Sequence, residues 1–570
     1  MALEIAVENT GQALLELLRS MGVKYFIGVA GSDFTMIIDG FARFAVEGKT
    51  EIKPIQAPHE TCAVNMAHGY YLATGKPPVV MVHSTVGTAN ALCGLINAAK
   101  ANVPLILLAG RPPINETGNS GTRDISIHWA QEAFDQGEIV RQFVKWDYEL
   151  RNFDQLETIV RRAFSIAMTE PRGPVYLTLP RDVMTEEIER DFLIRGETDL
   201  TFAASRSFPD REIVREAARI ISLAKQPLII TRSFGRNQPA VAELVRLAEM
   251  FALPVVEFEM PDCVNFPGNH ALHQGFDPSA LVPSADVIVV IDCAMPWSPK
   301  FATASSKAQV IHIGYDPLQS RIPMWGFPVT LAITGDSAVT VKMLADELGK
   351  AAKDQVKEIQ QRFNALKKNH RSPPRARDIK NDPLAAVAAH LNEFKTDQMI
   401  FVQEYDLGLK RSFIEFDSPG TYWGFSPSGG LGFGMGGALG VKLAHPEKTV
   451  VAVVGDGTYL LGAPTPCHMV SASYDLPILW VICNNRGWGA LALFTMLTEK
   501  GGWWQKAGFP LVNFDVNPKY ELIAESCGGW GCAVSELDKL PGALRQALSV
   551  VQKEGRQALL NVDCRLPGSV

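Results

Sequence analysis

The chain of 570 residues has few cysteines, and none spaced Cys-x-x-Cys. The nine are Cys62, Cys93, Cys263, Cys293, Cys467, Cys483, Cys527, Cys532 and Cys564, an odd and scattered set. Neither a zinc site nor a disulfide framework is expected, and several lie in apolar runs that suit a reducing compartment. No apolar run approaches the ~18 residues that span a bilayer. Met1-Ala2-Leu3-Glu4-Ile5 lacks the basic-then-apolar layout of a secretory leader, so a cytoplasmic protein is the expectation. Charge of either sign is also in small excess: the net charge of −7 gives no electrostatic case for nucleic acid or an anionic membrane. Basic residues cluster only locally, at Lys367 to Arg371 and Arg375 to Lys380, as in solvated linkers.

What is present is an ordinary globular composition, 47% hydrophobic and 20% charged, in a chain long enough for about three or four domains. Apolar strands alternate with helical segments in three blocks, which predicts three doubly wound, Rossmann-like α/β domains with parallel sheets over residues 1–185, 205–348 and 380–570. In the first block Thr10 is a candidate helix cap with Gly22 past the helix end. Its strands are read at Tyr25–Ile27, Lys53–Ile55, Val79–Val82, Leu105–Leu108 and Val175–Leu179. A polar stretch from Thr185 to Asp210 reads as a connection. The middle block carries strands at Leu228–Ile230, Val255–Val256, Val287–Ile291 and Val310–Ile313, with no Gly-x-Gly-x-x-Gly after the first. Arg232 to Arg236 there reads as a solvated turn. Gly349 to Pro383 reads as a partly helical linker, and the first and third blocks look like related sheets.

The third block holds the most informative stretch. Val450–Val454 and Ile478–Ile482 read as adjacent buried parallel strands, ending in Gly455-Asp456-Gly457 and Asn484-Asn485. Thr458 to Tyr474 between them reads as a turn plus helix, with Pro464 and Pro466 extending the turn. Strand ends of this kind form the ligand edge of an open α/β sheet. An Asp carboxylate, an Asn carboxamide and a backbone carbonyl are hard oxygen ligands suited to Mg²⁺ holding a diphosphate.

This spacing resembles the thiamin diphosphate signature, and the whole chain is similar to the three-domain family of thiamin diphosphate-dependent decarboxylases and acetolactate synthases. The resemblance implies pyrimidine-binding, central and diphosphate-binding domains in that order. It implies Mg²⁺ held by Asp456, Asn485 and the Gly487 carbonyl, with Gly455, Gly457 and Thr458 around the diphosphate. Pro427 to Gly434 resembles the pyrimidine pocket: Gly429 and Gly430 would offer backbone groups, and Leu431 would bend the cofactor. Such cofactors need a carboxylic acid on the aminopyrimidine. Glu60, in Ala57-Pro58-His59-Glu60, stands at the family's position for that acid, although a first-turn helix Glu has a bland explanation in the helix dipole.

Two segments resemble benzoylformate decarboxylase in particular. Val82 to Asn90 places His83 at a strand end, where an imidazole could relay protons, and Gly28 to Asp33 places Ser32 where a hydroxyl would bind a substrate carboxylate. Gly31, Gln131, His128 and Trp488 are candidate pocket residues, with His468 a further polar group nearby. That decarboxylase's central-domain histidine has no counterpart in Met295 to Pro299, and the Met-Val-x-Gln-Trp pattern of acetolactate synthases is absent after Asn485. Trp503-Trp504 reads as core packing or a lid. The expected activity is therefore decarboxylation of a 2-oxo acid with carboligase side activity, in a homodimer or homotetramer acting on a 2-oxo acid or aldehyde. Alternatives are acetolactate synthase-like carboligation, with FAD possible but unsupported by any motif, a 2-hydroxyacyl-CoA or acyloin lyase, and a cofactor-binding paralogue without turnover.

Overall fold

A computed structural model describes residues 3–188, 192–194, 203–379, 381–404, 410–424 and 428–565. The first helix, Thr10–Ser20, is capped by Asn9, whose side chain accepts from the Gln12 amide, so the cap falls one residue before the expected Thr10. An Asx side chain just outside the helix reaches the free amides better than a residue already inside it. Strand β1 (Leu3–Ile5) pairs antiparallel with β8 (Phe192–Ile194), which places a strand inside the stretch expected to be only a connection.

The first sheet contains β2 (Tyr25–Gly28), β3 (Lys53–Gln56), β4 (Val79–Val82), β5 (Ile106–Arg111), β6 (Asp147–Glu149) and β7 (Val175–Pro180). Its order is β3-β2-β4-β5-β7-β6, all parallel. The central sheet runs β10-β9-β11-β12-β13, from β9 (Pro227–Thr231), β10 (Val255–Glu257), β11 (Val287–Ile291), β12 (Gln309–Gly314) and β13 (Leu331–Thr334). The third holds β14 (Met399–Glu404), β15 (Tyr422–Trp423), β16 (Thr449–Gly455), β17 (Ile478–Asn484), β18 (Trp530–Val534) and β19 (Ala558–Asp563). Its order, β15-β14-β16-β17-β19-β18, repeats that of the first sheet strand for strand. The expected kinship of the two outer blocks is thus visible in their topology. β4, β16 and β17 are buried along nearly their whole length, because helices cover both faces of a parallel sheet.

The stretch Gly349 to Pro383 is partly helical, as expected: the helix Val356–Asn369 lies within it, after the helix Ser337–Ala351 and before the third domain, whose first helix, Pro383–Phe394, is capped by Asp382. Between β16 and β17 lie two helices rather than one, Asp456–Leu461 and Pro464–Ser473. Ala463 is left-handed at the break, and Pro464 begins the second helix where its missing amide costs nothing. The helix therefore starts at the Asp itself, and the expected extended turn shrinks to Gly462 and Ala463.

The first and third domains dock through two helices, Glu60–Thr74 and Phe433–Ala444, both buried on nearly every side. Glycines let the backbones meet. A Cβ at Gly69 would overlap the Gly437 carbonyl, and one at Gly440 would overlap that of Met66. Gly69→Val is accordingly expected to lower unfolding stability by about 1–3 kcal/mol or more, the usual cost of overpacking, read from the denaturant midpoint.

Candidate active site

In a doubly wound sheet, ligands bind where the strand order reverses. That crevice lies between the ends of β2 and β4 in the first domain and between β14 and β16 in the third. The segments singled out in sequence fall at these two places. Gly28 ends β2 and leads to a 3₁₀ turn at Ser32–Phe34, while β4 ends at Val82 and His83 precedes the helix Ser84–Lys100. β16 ends in Gly455 and Asp456 opens the following helix.

At the third-domain edge Asp456 is 1% exposed. Its two oxygens accept the Gly457 and Gly487 amides, each at 3.0 Å. Burial nevertheless pushes its carboxyl up to about 6, and no Lys or Arg pairs with it among the described residues. A buried carboxylate held only by amide dipoles fits a site meant for a cation. The Asn485 carboxamide turns toward the same loop, accepting the Gly487 amide at 3.2 Å. No cluster of three or more His, Cys, Asp or Glu side chains exists among the described residues, so a cation here would take Asn, backbone and ligand oxygens beside Asp456. Asn484 looks away, bonding Asn517 and Asn561 and bracing the turn from behind. Thr458 Oγ1 donates to the Gly455 carbonyl at 2.7 Å, so its hydroxyl fastens the turn. Trp488 lies across that turn: a Cβ at Gly457 would stand 2.5 Å from its ring.

The glycine loop is anchored by a residue the sequence reading passed over. Glu404, at the end of β14, is fully buried and accepts the Gly432 and Gly434 amides, both at 2.7 Å. Burial pushes its carboxyl up to about 7. These bonds fix Leu431, half-buried between Gly430 and Gly432, the latter lying against Leu461 and Gly462. Gly429 and Gly432 have φ of 76° and 109°, which exclude ordinary side chains. Asn97 of the first domain donates to the Gly430 carbonyl at 2.6 Å and bonds Ser428; Pro427 lies outside the described residues.

At the first-domain edge Glu60 starts its helix with His59 as cap and is 7% exposed. Its carboxylate accepts from Asn90 at 3.2 Å and lies over Gly87, whose missing side chain leaves the space. His83 is half-buried, and its Nδ1 meets Asp33 Oδ1 at 2.6 Å. That hydrogen bond raises the imidazole above its ordinary value, with the Glu60 charge adding to the effect. Gln131 Nε2 lies 3.2 Å from His83 Nε2, and its carbonyl accepts from Thr85. Ser32 is exposed on the rim, beside Gly31.

His128 is buried, set between Asp124 and Arg181 and near enough to His83 to act on its charge, and burial lowers its pKa. Other expectations change. His468 is core rather than pocket: it bonds Tyr459 and Gln557, and burial holds it down to about 4. Trp503 is 81% exposed and Trp504 stacks on Phe509, so the aromatic pair is not core packing. Arg232 is buried against Asp262, and Arg236 reaches the Ala101 carbonyl, so this turn is not solvated. It borders a cavity of about 670 Å³ between the first and central domains, lined by Arg172, Arg206, Arg236, Asp292, Tyr315 and Asp336.

Residues 8–139, 214–344 and 408–562 match, in turn, the N-terminal TPP binding domain, the central domain and the C-terminal TPP binding domain described for thiamine pyrophosphate enzymes. Benzoylformate decarboxylase of Pseudomonas aeruginosa is 26% identical over 95% of this chain and 97% of its own. The acetolactate synthase large subunit of Haemophilus influenzae is 25% identical over 95% and 92%. The fold is that of the Rhodococcus jostii thiamine diphosphate-dependent 4-hydroxybenzoylformate decarboxylase, with a TM-score of 0.77 at 22% identity, over 98% of this chain and 100% of that one. The chain belongs to the thiamine pyrophosphate enzymes, with the three domains of that family in order.

Proposed function

We propose that this enzyme decarboxylates a 2-oxo acid, with carboligation to a second carbonyl as a side activity. The observation that supports the reading is the crevice at β2 and β4, where His83 meets Asp33 at 2.6 Å and feels the Glu60 charge, with Ser32 on the adjoining 3₁₀ turn. Thiamin diphosphate, when bound, supplies the electron sink that lets a carboxylate leave from a carbonyl carbon. Around it Asp456, Asn485 and the Gly487 carbonyl would hold Mg²⁺ and diphosphate, and Gly429, Gly430 and Leu431 would seat the pyrimidine. Glu60, 7% exposed at its helix start, would face the pyrimidine and share a proton with it. Ser32 orients the substrate carboxylate, His83 moves protons at the reacting carbon, and Gln131 and Trp488 line the walls. The test is CO₂ release from a panel of aliphatic and aromatic 2-oxo acids with Mg²⁺ and thiamin diphosphate. Release from at least one acid supports the reading, and none from any acid, with the cofactor bound, moves it to acyloin or acyl-CoA cleavage.

A homodimer or larger assembly is part of the proposal. The helix Gly489–Thr498 is almost wholly apolar yet has no buried residue, with Leu491 and Phe494 about half exposed. A second copy covering this face is the simplest occupant beside the diphosphate edge. Phe494→Asp is expected to shift the protein toward monomer in light scattering and to cost activity in proportion.

Acetolactate synthase-like carboligation with a flavin is a second reading, favoured by the cavity at the β9 and β11 ends, whose lining includes Arg172, Arg206, Arg236 and Asp292. A flavin absorption band in the purified protein decides it.

A further inference from the structure

We infer that Asp33 is a positioning residue that sets the tautomer and charge of His83. The inference rests on the proton-transfer role proposed for His83, and it concerns a residue that no sequence motif assigned. Asp33 and His83 come from turns 50 residues apart and meet at 2.6 Å through Oδ1 and Nδ1. Two glycines make room for the pair. A Cβ at Gly31 would collide with the imidazole, and one at Gly110 would collide with the Asp33 carboxylate. The carboxylate is 5% exposed, and its second oxygen, Oδ2, is buried with no partner among the described residues. A buried carboxylate left half-satisfied costs stability, so its single strong bond is to the imidazole and to nothing that would hold it elsewhere.

The bond commits Nδ1 to carrying a proton toward Asp33 and leaves Nε2 as the working nitrogen, on a side chain that is 22% exposed. Beside it the Gln131 carboxamide suits both states of the ring. Its NH₂ donates to a neutral Nε2, and after a half-turn its oxygen accepts from Nε2–H. The charges facing the ring are Asp33 on the 3₁₀ turn, Glu60 at its helix start and His128 on the short helix Ile127–Ala130. The two carboxylates favour the imidazolium and His128, when protonated, opposes it. His83 therefore stays a proton donor to higher pH than a free imidazole, whose ordinary value is about 6.5.

The test is the His83 titration, followed by NMR in full-length protein carrying ¹⁵N-labelled histidine and assigned with His83→Gln. In the wild type His83 is expected to titrate above the ordinary value with Nδ1 protonated. In Asp33→Asn the titration moves down, and the limb of the kcat profile that reports the proton donor moves down with it. Asp33→Asn also loses about tenfold or more in kcat with little change in KM, part of the ~10²–10⁴ that a positioned proton donor contributes. In a His83→Ala background the same change at Asp33 adds nothing. An unmoved titration, or equal losses with and without His83, overturns the assignment. Should Asp33→Asn not fold, a wild-type His83 that titrates at or below the ordinary value overturns it as well. The titration needs no turnover, so failure of the decarboxylase reading would leave this result standing and readable.

Discussion

Glu60→Gln is expected to lose about 10²- to 10⁴-fold in turnover, the range for a positioned acid–base group, while thiamin diphosphate still binds. The two variants differ by one ionisable oxygen. The amide keeps the shape of the helix start and can still face Asn90, so the fold is unaffected. What it cannot do is share a proton with the pyrimidine. Calorimetry with thiamin diphosphate and Mg²⁺ reads binding, and CO₂ release reads turnover. A variant that binds normally and turns over at the wild-type rate would show that Glu60 is only a first-turn residue favoured by the helix dipole.

Asp456→Ala is expected to abolish activity by a different route, through loss of the cofactor. In the wild type, Mg²⁺ and thiamin diphosphate at about 100 times their Kd add ~2.7 kcal/mol to stability by mass action, seen as a rise in melting temperature. The variant should melt at the same temperature with and without them. Asp456 accepts two amides of the site, so the apo variant also loses some stability. The comparison that matters is therefore each protein with and without ligand. A normal ligand-induced rise in Asp456→Ala would remove Asp456 from the metal site.

The legible parts of this chain are those where local pattern and burial agree. β16 and β17 are continuous apolar runs because both faces of a parallel sheet are covered, and their Gly-Asp-Gly and Asn-Asn ends stand together at one edge of that sheet. Short or half-buried strands left little signal: Asp147–Glu149 sits at a sheet edge, and Trp530–Val534 is only partly covered. Residues whose meaning is a tertiary contact were illegible. Asp33 reads as a turn acid until His83 arrives from another strand, and Glu404 reads as a strand terminus until the glycine loop folds onto it. Amino-acid type misled in both directions. Arg232 and Arg236 suggested solvent, yet Arg232 is buried against Asp262 and Arg236 bonds the Ala101 carbonyl of the first domain, whereas Trp503 suggested core and stands exposed.

The most direct test of the account is hydrogen–deuterium exchange at the reactive thiazolium carbon of thiamin diphosphate bound to this enzyme, in the wild type and in Glu60→Gln. Fast exchange is expected in the wild type and exchange near the free-cofactor rate in the variant, with both proteins saturated. Equal exchange in the two would contradict it, because the carboxylate at the start of the Glu60 helix would then play no part in activating the cofactor.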